Sequence, residues 1–334
     1  MKDLPTKALV SVVMITYNHK DNIHKAIEGV LMQKTNFPFE LIIGEDASTD
    51  GTREIVENYA KKFPGIIKIL SSDKNLGMTK NYIRTVQGAS GKYIALCEGD
   101  DYWTDALKLQ KQVDFMNFNP ECTLCYHAYQ TMKVKPDSSI SIGPKIGAEV
   151  TTNKIISGKK AIESVYARTV TILFRISVLD PAPEWIYKAP YGDYPLLLTC
   201  ADKGSIGYLA GPPMAVYQRG NKGSYNEKAF GNENEVLKLN LKRLNDHFRC
   251  FDLFNEYTNL KYNSIIQTRK RRWLYRFLFY FLDNNNRQTV LKTFFNFRKE
   301  LPLKLDYYAK LFWLRYILGE VLYKKLINKY PKPF

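Results

Sequence analysis

Cysteine is scarce. Five in 334 residues cannot make a disulfide framework for a chain this long, so an apolar core must hold the fold. Cys122-x-x-Cys125, with His127 close behind, has metal-ligand spacing, but a structural zinc site needs four ligands. No second CxxC or HxxxH supplies them, so the pair reads as reduced thiols buried on a strand. Long uncharged apolar runs are missing too. Phe277 to Leu282 stops at Asp283 and Arg315 divides Leu311 to Leu318, far short of the ~18 residues that a spanning helix needs. Met1-Lys2-Asp3-Leu4-Pro5 is interrupted by Asp3 and Pro5 and lacks a signal-peptide pattern, so the expectation is a protein made and kept in the cytoplasm. The usual nucleotide cradles are absent as well. No G-x-G-x-x-G follows the first strand pattern, and Gly88-Ala89-Ser90-Gly91-Lys92 lacks the spacing and terminal Ser/Thr of a phosphate loop.

Acidic residues are scarce at one end only. Residues 269–334 hold 16 Lys/Arg against 4 Asp/Glu, and residues 1–268 hold 33 against 29, so +12 of the formal +16 charge lies in the tail. Of the 45 Phe, Trp and Tyr, 17 fall in that same stretch. A nearly neutral body therefore carries a basic, aromatic tail. Composition is otherwise globular, with 45 % hydrophobic and 25 % charged residues, enough for one large domain or two smaller ones.

The body alternates strand and helix patterns. Ala8 to Thr16 is β-branched and almost continuously apolar, as a strand buried on both faces must be. Asp21 or Asn22 can cap a helix whose Ile23, Ala26, Ile27, Val30 and Leu31 share one face. Phe39 to Ile43, Ile66 to Leu70 and Lys92 to Cys97 predict further strands, with helices from Thr52 and over Thr79 to Gln87. The result is an α/β fold with a mostly parallel central sheet flanked by helices. Val134 to Gly158 has no period and reads as mainly loop with room for short strands; Thr169 to Phe174 and Ile206 to Leu209 read as later strands. From about Glu233 the pattern is helical, and Val290, Leu291, Phe294 and Phe295 face away from Lys292, Asn296 and Lys299. The expected division is a domain over residues 1–230 and a C-terminal helical extension over 231–334.

Ligands of doubly wound sheets bind beyond the carboxyl ends of the strands. Strand one here ends in Thr16-Tyr17-Asn18, strand two in Glu45-Asp46-Ala47-Ser48-Thr49-Asp50, and strand four in Glu98-Gly99-Asp100-Asp101. Carboxylates rather than a glycine cradle near a phosphate call for a bridging cation. Glu98 and Asp100 are two apart in extended chain and can point the same way. Hard oxygen ligands suit Mg²⁺ or Mn²⁺. The competing reading is that these acids cap helices and turn loops, Asp46 to Asp50 forming an Asx-rich turn.

At these residues the chain resembles family 2 glycosyltransferases, inverting enzymes of the GT-A fold that use nucleotide-diphospho-sugars. The resemblance runs from about Leu9 to Tyr217. It is carried by Val12-Val13-Met14-Ile15-Thr16-Tyr17-Asn18, Glu45-Asp46-Ala47-Ser48-Thr49-Asp50-Gly51-Thr52, Asn75-Leu76-Gly77 and Glu98-Gly99-Asp100-Asp101-Tyr102-Trp103. It implies that Tyr17 stacks on the nucleobase and that Asp46, with Glu45 beside it, meets base and ribose. Thr16, Asn18, Asp50, Asn75, Lys80, Glu98 and Gly99 belong to the same nucleotide side. Glu98-Gly99-Asp100 stands as the D-x-D-like metal motif, with Asp100 the direct ligand of Mn²⁺ or Mg²⁺. Glu98 replaces the more usual aspartate, and its longer arm suits a contact through water. Asp101, Tyr102, Trp103 and Arg219 are placed on the acceptor or diphosphate side; core packing is an equal alternative for Tyr102 and Trp103.

Inverting transfer needs one general base for the acceptor hydroxyl. The family places an acid on a short turn beyond the metal motif, and in Tyr191-Gly192-Asp193-Tyr194-Pro195 that residue is Asp193, which equally suits a helix N-cap. Tyr217-Gln218-Arg219 is similar to a Tyr-Arg-x-His segment of relatives, with Asn221 and Lys222 where the histidine would follow. His19, His24, His127 and His247 read as surface or structural. The resemblance implies transfer of one hexosyl or N-acetylhexosaminyl unit from a UDP-sugar to a saccharide acceptor, polyprenyl-linked, in cell-surface polysaccharide synthesis. Gln267 to Trp273 fails the spacing of the processive synthases, which favours single addition. The tail reads as a peripheral membrane element, with Arg269-Lys270-Arg271-Arg272 meeting anionic lipid at the inner face of the cytoplasmic membrane, mixed with a helical cap. Nucleic acid is not an expected partner. The rival class is a nucleic-acid- or lipid-binding protein on a degenerate transferase fold, which would have no need of both Asp100 and Asp193.

Overall fold

The computed structural model describes residues 7–134, 139–219 and 233–283, together with Val290, Thr293, Phe294, Phe312, Trp313 and Tyr316. The chain divides into two compact units, Met1–Asn232 and Glu233–Phe334.

The first unit opens with β1 (Val10–Thr16), α1 (Ile23–Leu31), β2 (Phe39–Glu45), α2 (Thr52–Lys62), β3 (Ile67–Ser71), α3 (Met78–Gln87) and β4 (Tyr93–Leu96). β1 is buried along almost its whole length because it lies between β2 and β4, parallel to both. α1 turns Ile23, Ala26, Ile27 and Val30 into the core, the isoleucine and valine side chains each contributing about 1.5–3 kcal/mol of apolar burial. The chain continues through β5 (Tyr102–Trp103), α4 (Lys108–Phe118), β6 (Cys122–His127), β7 (Tyr129–Val134), β8 (Ile140–Ile146), β9 (Lys154–Ile156), α5 (Gly158–Ser164), β10 (Leu173–Arg175), α6 (Glu184–Lys188), α7 (Asp193–Lys203), β11 (Ser205–Leu209) and β12 (Ala215–Arg219).

The main sheet has the order β3-β2-β1-β4-β10-β6-β11-β9, and a second sheet has the order β5-β12-β7-β8. Pairing is parallel from β3 to β4 and between β6 and β11, whereas β10 and β9 run antiparallel to their neighbours. This is the α/β class expected of the sequence. Thr16 pairs with Glu45 and Val13 with Leu96, so β1, β2 and β4 end at one edge of the sheet. In the second sheet β12 is antiparallel to β5 and parallel to β7, which carries Tyr217 and Gln218 back to the segment that follows β4.

Three local expectations change. Val134 to Gly158 holds a seven-residue strand, β8, besides β9, because pairing to β7 overrides a composition that lacks a period. Thr169 to Thr171 is a 3₁₀ turn, and the strand begins only at Leu173. The Leu196 to Cys200 helix extends to Asp193 and Lys203. All five cysteines are buried free thiols, Cys122 and Cys125 on β6 as expected. His127 is buried too, its Nδ1 2.7 Å from the Ala128 carbonyl.

The second unit contains α8 (Glu233–Tyr257) and α9 (Asn263–Asp283). Leu244, Phe248, Leu274, Leu278 and Phe312 form its core. The reading of the basic run as a lipid contact needs correction for two of its four residues. Arg269 and Lys270 are only 6 % and 2 % exposed. Lys270 pairs with Asp252, and the Arg269 guanidinium stands 5.7 Å over the Phe251 ring. Long alkyl stems allow such burial once a carboxylate or ring receives the charge. No described helix is long and apolar enough to cross a membrane. Asn221 and Lys222, Leu291, Lys292, Phe295, Asn296 and Lys299, and most of Leu311 to Tyr323, lie outside the described residues.

Candidate active site

The end of β1 and the loop after β2 are tied together by short polar contacts. Asn18, at φ 55°, accepts a hydrogen bond from the Thr49 amide at 2.8 Å and donates its own amide to Ser48 Oγ at 3.0 Å. Asp50 accepts from the Lys20 amide and from the amide and hydroxyl of Thr52. Burial opposes ionisation of Asp50, but these donors outweigh it and hold the carboxyl below its ordinary range. Asp46, 2 % exposed, accepts from the Leu76 and Gly77 amides at 2.8 and 2.9 Å. Asn75 Oδ1 also accepts from the Gly77 amide, at 2.9 Å. Glu45 is fully buried, accepting from the Ser48 amide and paired with Arg53 at 2.6 Å. Tyr17 is half-buried at the end of β1, and Lys80 is exposed on the first turn of α3. The structure therefore ties Asn18, Glu45, Asp46, Asp50 and Asn75 into one mouth beyond β1 and β2, with Glu45, Asp46 and Asp50 already engaged as its scaffold.

The segment after β4 is different. Ligand oxygens of Glu98, Asp100 and Asp101 all lie within 4.8 Å of one another. Asp101 is buried; one oxygen accepts from the Gln218 amide at 2.7 Å, and the other, Oδ2, has no hydrogen-bond partner. Glu98 accepts from the Thr169 hydroxyl at 2.6 Å. Burial, and then the charge of Asp100, push the Glu98 carboxyl up to about 8. The same two causes drive Asp101 well above the carboxylate range. Gly99 allows the close approach: a Cβ there would stand 2.7 Å from Thr16 Oγ1 and 2.9 Å from His19 Nδ1. An orphaned buried oxygen among three mutually repelling hard ligands fits a divalent cation. Asp101, expected on the acceptor or diphosphate side, thus lies in one cluster with Glu98 and Asp100.

Asp193 is the first residue of α7, with Gly192 before it, and its Oδ1 accepts from the Tyr194 amide at 2.7 Å. Burial raises its pKa, against that amide bond and the charge of Arg168. Asp193 is close enough to Glu98 to raise the latter's pKa in turn, so both share one electrostatic site. Trp103 requires a correction. It is 2 % exposed, its indole N–H donates to the Val170 carbonyl at 3.0 Å, and Lys108 Nζ lies 3.9 Å from its ring centre. It belongs to the core, while neighbouring Tyr102 is half-buried and Arg219 exposed at the end of β12.

Two residues that no motif announces complete the mouth. Thr169 holds Glu98, and Arg168 beside it stands over the rings of Tyr217 at 4.5 Å and Tyr166 at 4.9 Å. They lie between α5 and β10, at the start of the stretch that reads from sequence as a strand from Thr169.

Residues 11–175 match the profile of glycosyl transferase family 2. An uncharacterized protein of Mycobacterium tuberculosis is 45 % identical over 118 residues, 35 % of this chain and 34 % of that protein. The chain therefore spans about a third of the length of that relative. Escherichia coli WfaP, a UDP-Glc:α-D-GlcNAc-diphosphoundecaprenol β-1,3-glucosyltransferase, is 28 % identical over 204 residues, 59 % of this chain and 71 % of WfaP. The fold matches Staphylococcus aureus TarS residues 1–349 in complex with UDP-GlcNAc, with a TM-score of 0.54 and 16 % identity over 89 % of this chain and 93 % of that one. It also matches the mannosyltransferase PcManGT of Pyrobaculum calidifontis in complex with GDP-Man and Mn²⁺, with a TM-score of 0.55 and 14 % identity over 96 % and 84 %. The sheet with three carboxylates beyond β4 thus has the GT-A fold, and residues 11–175 are a glycosyl transferase family 2 region.

Proposed function

We propose that the chain transfers one sugar from a nucleotide-diphospho-sugar to a hydroxyl of a saccharide acceptor, with inversion and without processivity. The observation that carries this reading is the orphaned Asp101 oxygen within the Glu98-Asp100-Asp101 cluster, in the same electrostatic site as Asp193. Asp193 takes the proton of the acceptor hydroxyl as its oxygen attacks the anomeric carbon. The bond from that carbon to the diphosphate breaks, and the diphosphate leaves with the electron pair. A raised carboxyl is a stronger base than an ordinary aspartate, which suits this role. Mn²⁺ or Mg²⁺ held by Glu98, Asp100 and Asp101 would neutralise the departing diphosphate.

UDP is the proposed nucleotide, supported by the substrate in WfaP's name and by UDP-GlcNAc in the TarS complex. The Mn²⁺ bound with GDP-Man in PcManGT supports the cation. The diphosphoundecaprenol acceptor of WfaP supports a polyprenyl-linked saccharide, and hence work in polysaccharide synthesis at the inner face of the cytoplasmic membrane. The division into a catalytic domain and a basic helical extension belongs to the same proposal.

A thermal-shift screen of UDP- and GDP-sugars with Mn²⁺, followed by product analysis on lipid-linked saccharides, tests it. One donor should stabilise the protein and yield an inverted linkage. Asp193→Asn should keep donor binding and lose about 10²–10⁴ in kcat. Wild-type turnover by that variant would remove Asp193 from the reaction.

A further inference from the structure

Arg168 is held in place by two tyrosines. Its guanidinium lies over the Tyr217 ring on β12 and the Tyr166 ring, and donates to the Tyr166 hydroxyl at 3.1 Å. Tyr129 and Tyr217 meet edge to face at 6.2 Å, which fixes the shelf on which the guanidinium rests. Its Nε is buried and has no hydrogen-bond partner. Thr169, the next residue, donates to Glu98 at 2.6 Å, and Tyr217 under the guanidinium precedes Gln218, whose amide donates to Asp101 at 2.7 Å, so Arg168 stands beside the cluster.

A fixed cation with a spare donor beside three carboxylates has two possible duties. It can balance those carboxylates, or it can receive an anion once a divalent cation has done so. The cluster's own ligand geometry favours the second, because Asp101 Oδ2 stays unpartnered with Arg168 near. An arginine plane held on aromatic rings matches the oxygens of a phosphoryl group, and pre-orientation removes most of the ordering cost of that contact.

We propose that Arg168 receives the phosphoryl oxygens of the bound nucleotide diphosphate, opposite the Glu98-Asp100-Asp101 cluster. The assignment rests on the transferase reading above. It places the positive end of the leaving-group site on a segment outside every recognised motif. The Tyr166-Ala167-Arg168-Thr169 stretch then serves both sides of the diphosphate, Thr169 by holding Glu98 and Arg168 by direct contact.

The test is a binding comparison on the full chain with three probes: Mn²⁺ alone, UDP with Mn²⁺, and uridine. GDP and guanosine replace the uridine pair if the wild-type protein prefers guanine. Arg168→Gln should weaken UDP about 10–100-fold, the worth of a charge-assisted contact, and leave uridine unchanged. It should leave Mn²⁺ binding equal or tighter, since a positive charge has been removed from beside the ligands. Loss of Mn²⁺ and UDP affinity together would mean that Arg168 only props the carboxylates, and would overturn the proposal. So would wild-type UDP affinity in the variant; a rise in acceptor KM would then assign Arg168 to the acceptor's phosphate. Arg168→Lys, which keeps the charge and loses the stacked plane, is the second variant should the first not fold. It too must bind UDP more weakly. Failure of the wild-type protein to bind either diphosphate would instead strike the transferase reading itself.

Discussion

Two groups of acids stand at neighbouring strand ends, and the protein treats them in opposite ways. After β2, Glu45, Asp46 and Asp50 are each met by amides, hydroxyls or Arg53. After β4, Glu98, Asp100 and Asp101 face one another, one buried oxygen has no partner, and two of the three carboxyls are pushed upward. The chemical groups are the same, and so is the edge of the sheet. Carboxylates met by donors are part of the framework; Asp101, with one buried oxygen left without a partner, has room for a ligand that the chain does not supply. The difference is visible in hydrogen bonds, not in the identity of the residues.

The largest expected consequence comes from relieving the frustrated group. Asp100→Ala should abolish transfer to the limit of detection. At the same time it should raise metal-free stability by about 0.5–2 kcal/mol, read from urea midpoints, because the carboxylate that pushes Glu98 and Asp101 upward is gone. Loss of both activity and stability would show that the cluster is framework after all. Breaking the satisfied group should do the reverse. Asp46→Asn leaves the Leu76 or Gly77 amide short of an acceptor and should cost about 1–3 kcal/mol of stability. Its effect on kcat should be smaller than its effect on the donor KM, so unchanged stability would make Asp46 a ligand rather than a brace.

The smallest effect concerns pH. Glu98, Asp101 and Asp193 all titrate higher in the folded chain than in an unfolded one. Their protonated forms therefore favour the fold, and without a divalent cation the thermal midpoint should drop as pH rises from about 4.5 toward about 8. Mn²⁺ should reverse that drop, and more at pH 8 than at pH 5, because binding requires the carboxylates free of protons. A midpoint equally raised by Mn²⁺ at both values would mean that the ion binds elsewhere.

The strands and the two acidic ends were legible from apolar period and from spacing, since β1, β2 and β4 have the burial that a parallel sheet demands. Trp103 was not. A tryptophan next to a site motif reads the same whether its ring faces ligand or core, and only the close approach of α1, whose Gly29 packs on the Trp103 backbone, decides it. Arg168 was illegible for another reason. Its role depends on Tyr129 and Tyr217, which the second sheet brings together from strands that lie far apart in sequence. In the C-terminal unit the basic run reads from sequence as a contact for anionic lipid, although the first two of its four charges are turned inward toward Phe251 and Asp252.

The hydrogen bond from the Gln218 amide to Asp101 joins residues 117 apart in sequence. Such a link orders events during synthesis. The first four strands can emerge, pair and bury their apolar residues long before β12 exists, and until then the acids after β4 have no lid and no fixed orientation. A chain cut after Arg175, where the family match ends, would keep seven of the main sheet's eight strands and lose β11, Asp193, Gln218 and the Tyr217 ring under Arg168. The recognisable part of this protein is thus shorter than its working part, and the ribosome must deliver more than forty further residues before the site can close.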